Sequence, residues 1–133
     1  MPDLHQEVTF NAPAAKVYRA LLDSAQHAAF TGAPAEISGA EGGAFSAHNG
    51  MVEGRNVALT EGSRIVQAWR IKNWPEGVFS IARFELHEQG GKTRLVFDQA
   101  GIPAAALEHI DGGWKKMYWE PLTRYLSQAP AKA

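Results

Sequence analysis

The chain contains 133 residues, of which 45% are hydrophobic and 20% are charged, and its formal net charge at pH 7 is −1. These values are typical of one soluble domain with its own core, and the near-neutral charge argues against nucleic acid as a partner. The absence of cysteine excludes disulfides, thiolate metal sites and cysteine nucleophiles. No stretch reaches the ~20 apolar residues of a membrane span, so we expect a cytoplasmic protein without a membrane span. A single domain, 1–133, is expected to have its core at about 4–126 and a frayed tail at 127–133.

A strand and two short helices are predicted at the start of the chain. Residues 4–10 read as a strand, and Asn11-Ala12-Pro13 then supplies an N-cap candidate and an early proline for a helix. Asp23 or Ser24 can cap a second short helix, which Gly32 would end.

Short strands separated by turn residues are predicted between residues 34 and 99. Asn49-Gly50 is the firmest turn, because that dipeptide accepts the two positive φ values of a type I′ hairpin. Gly54 lies inside a predicted strand and indicates a bulge or a close backbone approach. The pattern therefore predicts an antiparallel meander of six strands. These strands are 34–38, 43–48, 51–59, 63–71, 78–87 and 93–99.

Apolar residues recur every three or four positions after Pro103, which predicts a helix running to about Leu126. Gly112-Gly113 and Pro121 predict a break or bend in it. The predicted fold class is therefore α+β. We expect a helix-grip fold in which a curved antiparallel sheet of six to seven strands wraps around a long C-terminal helix, with two short helices after the first strand.

Six segments along the chain carry a family resemblance. They are FNAPAAKVYRAL, AAFTGAPAEIS, EGGAFSAHNGMVEG, IVQAWRIKNWPEG, AGIP and GWKKMYWEPL. Between Phe10 and Leu122 the chain resembles the C-terminal domain of the activator of the 90-kilodalton heat-shock chaperone ATPase, a family of the START-like, or SRPBCC, superfamily. The order WRIKNWPEG, GIP and GW is the most specific part.

The resemblance implies a START-like fold with an internal cavity, in which superfamily relatives bind lipids, hormones and other apolar molecules. It also implies a heat-shock chaperone as a partner. In the eukaryotic activator, a separate N-terminal domain, which these 133 residues do not include, shares in engaging the chaperone dimer.

A candidate ligand pocket lies between the last helix and the sheet, where apolar walls with a few polar groups would suit a small hydrophobic molecule. The predicted lining residues are Phe45, Met51, Trp69, Phe84 and Phe97 from the strands and Leu107, Ile110, Trp114, Met117, Tyr118 and Leu122 from the helix. Tyr118, Gln67, Glu53 or Arg55 would select polar features of the ligand, depending on which strand faces turn inward. The alternative is that these residues fill one another's space as an ordinary core.

The segment Trp74-Pro75-Glu76-Gly77 allows a structural and a functional interpretation. Pro75 suits the second position of a type I turn and Gly77 suits the fourth, so the segment can serve as a hairpin loop. Trp74 is larger than a turn requires. We expect it on an exposed loop, where Trp74 and Glu76 would contact a partner protein, or where Trp74 would guard the cavity mouth or pack on the sheet edge.

Catalytic and metal-binding motifs are not apparent in the sequence. The five histidines form no compact ligand motif, and no serine lies in a GxSxG elbow. We expect His48 and the strand face carrying Arg83, Glu85 and His87 to be solvated. The sequence therefore predicts a non-enzymatic domain that binds a small hydrophobic ligand and needs no cofactor or metal. The first alternative is a chaperone-binding interaction module, and the second is a small cyclase or hydrolase.

Overall fold

A seven-stranded antiparallel sheet forms one layer of the protein, whose residues 3–127 are described by a computed structural model. The strands are β1 (Leu4–Phe10), β2 (Glu36–Ile37), β3 (Ala44–Ala47), β4 (Val52–Thr60), β5 (Arg64–Ile71), β6 (Ser80–Gln89) and β7 (Lys92–Ala100). Their order in the sheet is β1-β7-β6-β5-β4-β3-β2. The predicted meander is thus confirmed, and the N-terminal strand joins it by pairing with the last one.

The helices pack on one face of this sheet. Two short ones, α1 (Ala14–Leu22) and α2 (Ser24–Thr31), follow β1 as predicted. Asp23 caps α2 by accepting a hydrogen bond from the Gln26 amide, and Gly32 ends it with a positive φ of 78°. Within residues 3–127, no helix is long and apolar enough to cross a membrane.

The C-terminal helix is long, as predicted, and its irregularity lies at one of the two predicted positions. A 3₁₀ turn (Ala104–Ala106) leads into α3 (Leu107–Trp114), then a π-helical turn (Lys115–Trp119), then α4 (Glu120–Ser127). The expected break at Gly112-Gly113 is wrong, because α3 runs through both glycines. The bend predicted from Pro121 is confirmed as a distortion just before it, because the proline ring conflicts with the carbonyl four residues earlier in a regular helix. Of the predicted tail, Ser127 belongs to α4 and the rest lies outside the described residues.

Two turn predictions can be checked against the backbone. Asn49 and Gly50 have the expected positive φ values of 59° and 87°, and His48 precedes them with 53°. At Gly54, an added Cβ would lie 1.9 Å from the Ala68 carbonyl oxygen and 2.7 Å from the Phe45 ring. The predicted close approach at Gly54 is therefore confirmed. The bulge in the same strand lies further on, between Asn56 and Ala58.

Alternation along the strands separates an inner face, covered by the helices, from an outer face. On β6, Ala82, Phe84 and Leu86 are buried, whereas Arg83 and His87 between and after them are about half exposed. The outer face of β6 is therefore solvated, as the sequence predicts. The inner face and the C-terminal helix together bound the interior in which the candidate site lies.

Candidate ligand cavity

A cavity of about 360 Å³ lies between the C-terminal helix and the neighbouring ends of β4 and β5. Its lining is mostly aliphatic and aromatic and includes no Asp, Glu, Lys or Arg side chain. The lining residues are His48, Met51, Val52, Trp69, Ile71, His109, Ile110, Gly113, Trp114, Met117 and Tyr118. Met51 and Met117 are 49% and 47% exposed, which places them at the opening to solvent.

The predicted lining residues divide into three groups. Met51, Trp69, Ile110, Trp114, Met117 and Tyr118 line this cavity. Phe45 and Phe84 do not line it, so their assignment to it is wrong; they line a smaller cavity of about 20 Å³, which shares Trp69, Trp114 and Tyr118 with the first.

The remaining three predicted residues line neither of these two cavities, so their assignment to the ligand cavity is also wrong. Phe97 and Leu122 are fully buried in the core. The reason for Phe97 is that the Trp114 and Trp119 rings cover it, with centroids at 4.3 and 5.5 Å. Leu107 faces a separate surface cleft beside β1.

Five lining residues were not predicted, and two patterns in the sequence point to most of them. Gly113 lies one helical turn before Met117, which belongs to the predicted apolar face of the helix, and His109 lies one turn before Gly113. Val52 and Ile71 are directly paired across the β4–β5 hairpin. His48 was expected to be exposed, and this is wrong, because its ring lies half-buried against the cavity wall.

A polar cluster of three rings joins the cavity to the interior. His27 Nε2 and the Tyr118 hydroxyl are 2.9 Å apart and hydrogen-bonded. The His48 ring lies 5.4 Å from the Tyr118 ring and 5.9 Å from the His27 ring. Burial, together with a smaller effect of the neighbouring His48, lowers the pKa of His27 from its usual 6.5 to about 4. Burial also lowers the pKa of His48 and raises the pKa of Tyr118, so all three rings are uncharged near neutral pH.

His27 should make the protein less stable in mild acid. Its pKa is lower in the folded state, so the unfolded state binds more protons, and stability is lost as pH falls from 6.5 towards 4. At about pH 5 the expected loss from this group is roughly 2 kcal/mol relative to neutral pH. Urea unfolding of wild type and His27→Gln at both pH values measures it, with exposed His87→Gln as the control. An equal acid-dependent loss in wild type and His27→Gln would contradict this assignment.

The polar residues predicted to select the ligand do not all face inward. Tyr118 lines the cavity, and Gln67 is buried beside the smaller cavity, where it donates a 3.1 Å hydrogen bond to Asn56. Glu53 and Arg55 lie on the outer face, because their neighbours in β4 face inward. Their proposed contact with a ligand in the cavity is therefore wrong.

The loop after β5 has a different turn from the predicted one. The Val78 amide donates to the Pro75 carbonyl at 3.1 Å, and Gly77 has a φ of 79°. Pro75 is thus the first residue of the turn and Gly77 the third, where a type II turn requires positive φ. The Arg70 side chain donates to the carbonyls of Trp74, Pro75 and Val78, at 2.8, 3.3 and 3.1 Å.

Trp74 is buried rather than exposed. Its side chain retains 7% exposure and packs edge-on against Trp69, with ring centroids 5.8 Å apart. The placement of Trp74 on an exposed loop is therefore wrong. Trp69 in turn lies 5.4 Å from Trp114, so Trp74 supports the cavity wall from behind. Glu76 is exposed at the turn.

Metal ligands do not come together in the part of the chain that the structure describes. Among residues 3–127, no group of three or more His, Asp or Glu side chains is placed to hold a metal ion. Chemically, the cavity offers apolar surface, aromatic faces and neutral hydrogen-bonding groups.

An antiparallel sheet closed by a long C-terminal helix, with a cavity between them, defines the helix-grip or START-like class of proteins. The family model for "Activator of Hsp90 ATPase homolog 1-like protein" matches residues 11–127, so the chain belongs to this family. The resemblance noted in the sequence is thereby confirmed.

Two curated proteins and one solved structure illustrate the relationship. The human activator of 90 kDa heat shock protein ATPase homolog 1 is 35% identical over 84% of this chain and 33% of its own length. The uncharacterized protein C1711.08 of Schizosaccharomyces pombe is 33% identical over 90% of this chain and 36% of its own. This chain therefore spans about a third of the length of these relatives. An HSP90 activator from Plasmodium falciparum has the same fold, with a TM-score of 0.86, 24% identity and coverage of 92% and 96% of the two chains.

Proposed function

We propose that this chain is a non-enzymatic START-like domain that binds a small hydrophobic molecule between the sheet and the C-terminal helix. The observation that carries the proposal is the cavity of about 360 Å³, whose lining contains no Asp, Glu, Lys or Arg side chain. Its volume lies within the range of pockets that hold small molecules. A ligand that hid ~300 Å² of apolar surface there would gain on the order of 7 kcal/mol before ordering costs.

The non-enzymatic part of the proposal follows from the chemistry of the lining. Among the described residues, the cavity wall contains no carboxylate, amine, serine or threonine that could act as nucleophile or strong base. Its ionisable groups are two histidines and one tyrosine, and Tyr118 is already bonded to His27.

Chaperone binding is a second candidate function, favoured by the 35% identity to the human activator of the 90 kDa heat shock protein ATPase. In this role the chain would act in the cytoplasm as an interaction module, with a heat-shock chaperone as its partner. Exposed groups such as Glu76 and Phe79, in the loop between β5 and β6, are candidate contacts. Trp74 would support that loop from inside.

Two adjacent glycines of α3 allow a matched test of the cavity. Gly113 lines the cavity and a Cβ there would meet open space, whereas Gly112 is exposed and does not line it. Gly113→Leu should fill the cavity and weaken binding of naphthalene, an uncharged probe, by more than about 10-fold. Gly112→Leu should leave binding unchanged, although both changes improve helix propensity by up to about 1 kcal/mol.

Isothermal titration calorimetry measures naphthalene binding, and native mass spectrometry of the purified wild type tests for a small apolar molecule that remains bound. Equal naphthalene affinity in the two variants would refute the proposed cavity. The same pair, titrated with the 90 kDa chaperone, tests the second role. A surface interaction predicts a measurable complex that neither variant weakens, and no complex with the wild type would exclude that role.

A further inference from the structure

We propose that the cavity selects uncharged planar molecules carrying one hydrogen-bonding oxygen, and that the Tyr118 hydroxyl, paired with His27, binds this oxygen. The inference rests on the proposed function, because it concerns the ligand of the same cavity. Three features support it: the aromatic walls, the absence of a charged partner, and the unusual state of His27.

Flat aromatic surfaces make up one wall of the cavity. Trp69 and Trp114 have ring centroids 5.4 Å apart and an interplanar angle of 37°, and Tyr118 lies 4.5 Å from Trp114. A planar ligand can pack on these rings over a large area. At the opening, Met51 and Met117 are flexible side chains that can adapt to its outline.

An ionised ligand would lose hydration in this cavity without gaining a charged partner. Glu53 and Arg70 are adjacent in sequence to residues of the cavity wall, but this ion pair lies on the outer face of the sheet. His109 is exposed, and His48 is uncharged near neutral pH because burial lowers its pKa. Since a buried ion without a counter-charge is strongly disfavoured, the lining favours neutral molecules.

His27 has a buried nitrogen that no protein group satisfies. The residue is 3% exposed, its Nε2 pairs with the Tyr118 hydroxyl, and its Nδ1 has no hydrogen-bond partner. In most buried histidines a bond to one nitrogen fixes which nitrogen carries the proton. Here nothing bonded to Nδ1 fixes it, so the Nε2–Tyr118 hydrogen bond can run in either direction.

This freedom gives Tyr118 two ways to meet an oxygen. When the hydroxyl donates to Nε2, its oxygen can accept a hydrogen bond from a ligand hydroxyl. When Nε2 carries the proton and donates to Tyr118, the hydroxyl proton is free to bind a ligand carbonyl. Tyr118 lines the cavity and belongs to the π-helical turn, a distortion that is frequent at functional sites. The pair thus recognises an alcohol, phenol or ketone without a net charge.

Three probes with the same two-ring skeleton test the inference: naphthalene, a naphthol, and the naphthoate substituted at the same position. Near neutral pH only the naphthoate is charged. In calorimetric titration, the wild type should bind naphthol about 3- to 10-fold more tightly than naphthalene, because one net hydrogen bond contributes about this factor to the affinity. The naphthoate should bind at least about 10-fold more weakly than naphthol.

Tyr118→Phe should reduce the advantage of naphthol over naphthalene to less than about 2-fold, and Tyr125→Phe, on α4 outside the cavity lining, should preserve it. If Tyr118→Phe does not fold, the relative affinities of the wild type for the three probes decide whether the inference holds. Naphthoate binding as tightly as naphthol, or naphthol binding no tighter than naphthalene, would overturn this inference and leave the proposed function standing. Failure of all three probes to bind the wild type would overturn the proposed function as well.

Discussion

Trp114→Ala is expected to lower the free energy of unfolding by about 3–5 kcal/mol, the usual loss for a large aromatic residue in a core. The Trp114 side chain is 3% exposed, and its ring lies 4.3 Å from that of Phe97 and 4.5 Å from that of Tyr118. Its indole N–H also donates a 2.8 Å hydrogen bond to Gln99, whose buried oxygen would lose this partner. Removing one side chain therefore leaves both a void and an unsatisfied polar atom.

Urea unfolding measures this loss, and Met117→Ala provides a control from the same helix. Met117 is 47% exposed at the opening of the cavity, so its replacement should cost less than about 1 kcal/mol. A loss below about 1 kcal/mol for Trp114→Ala would contradict its central position in the core.

Local sequence patterns predicted most of the fold. The strands are adjacent in sequence and joined by short turns, so alternation and turn residues such as Asn49-Gly50 suffice to order the meander. Gly54 was informative for a similar reason, because Phe45, on the neighbouring strand of the same hairpin, occupies the space of its missing side chain. The pairing of β1 with β7 joins residues more than 80 positions apart. It could not be predicted, because the sequence of the first strand contains no pattern that specifies its partner.

Pro121 predicted a bend in the C-terminal helix, but the π-helical form of the bend could not be predicted, because it depends on packing against the sheet. The Glu120 amide bonds to the Lys115 carbonyl, five residues back. This wider turn brings Trp114 and Trp119 onto one side, with rings stacked 5.5 Å apart. In a regular helix, residues five apart point in clearly different directions. Trp119 gains from the change, since its N–H reaches Gln6 on β1 at 2.5 Å.

The candidate site was predictable where one helix or one hairpin supplies the residues. Helical spacing identified Ile110, Trp114 and Met117. The His27–Tyr118 hydrogen bond spans 91 positions, and a lone histidine in a short helix has no feature that distinguishes it from a surface residue. Arg70 was overlooked for a different reason: a strand arginine on an outer face is normally solvated, whereas this one is 7% exposed beneath a loop.

Trp74→Ala is the second prediction with a large expected effect, a loss of about 3 kcal/mol in the free energy of unfolding. The Trp74 ring is 7% exposed against Trp69, and its backbone carbonyl accepts one of the Arg70 hydrogen bonds that hold the loop. Because Trp69 would lose its support, binding of naphthalene should weaken together with stability.

Glu76→Ala, in the exposed turn two residues away, is the control and should change stability by less than about 0.5 kcal/mol. Urea unfolding and calorimetric titration of both variants distinguish the two roles of the segment. If Trp74→Ala retained full stability but lost a chaperone complex, the tryptophan would be a surface contact after all; loss of stability and of naphthalene binding would establish it as the inner support of the cavity wall.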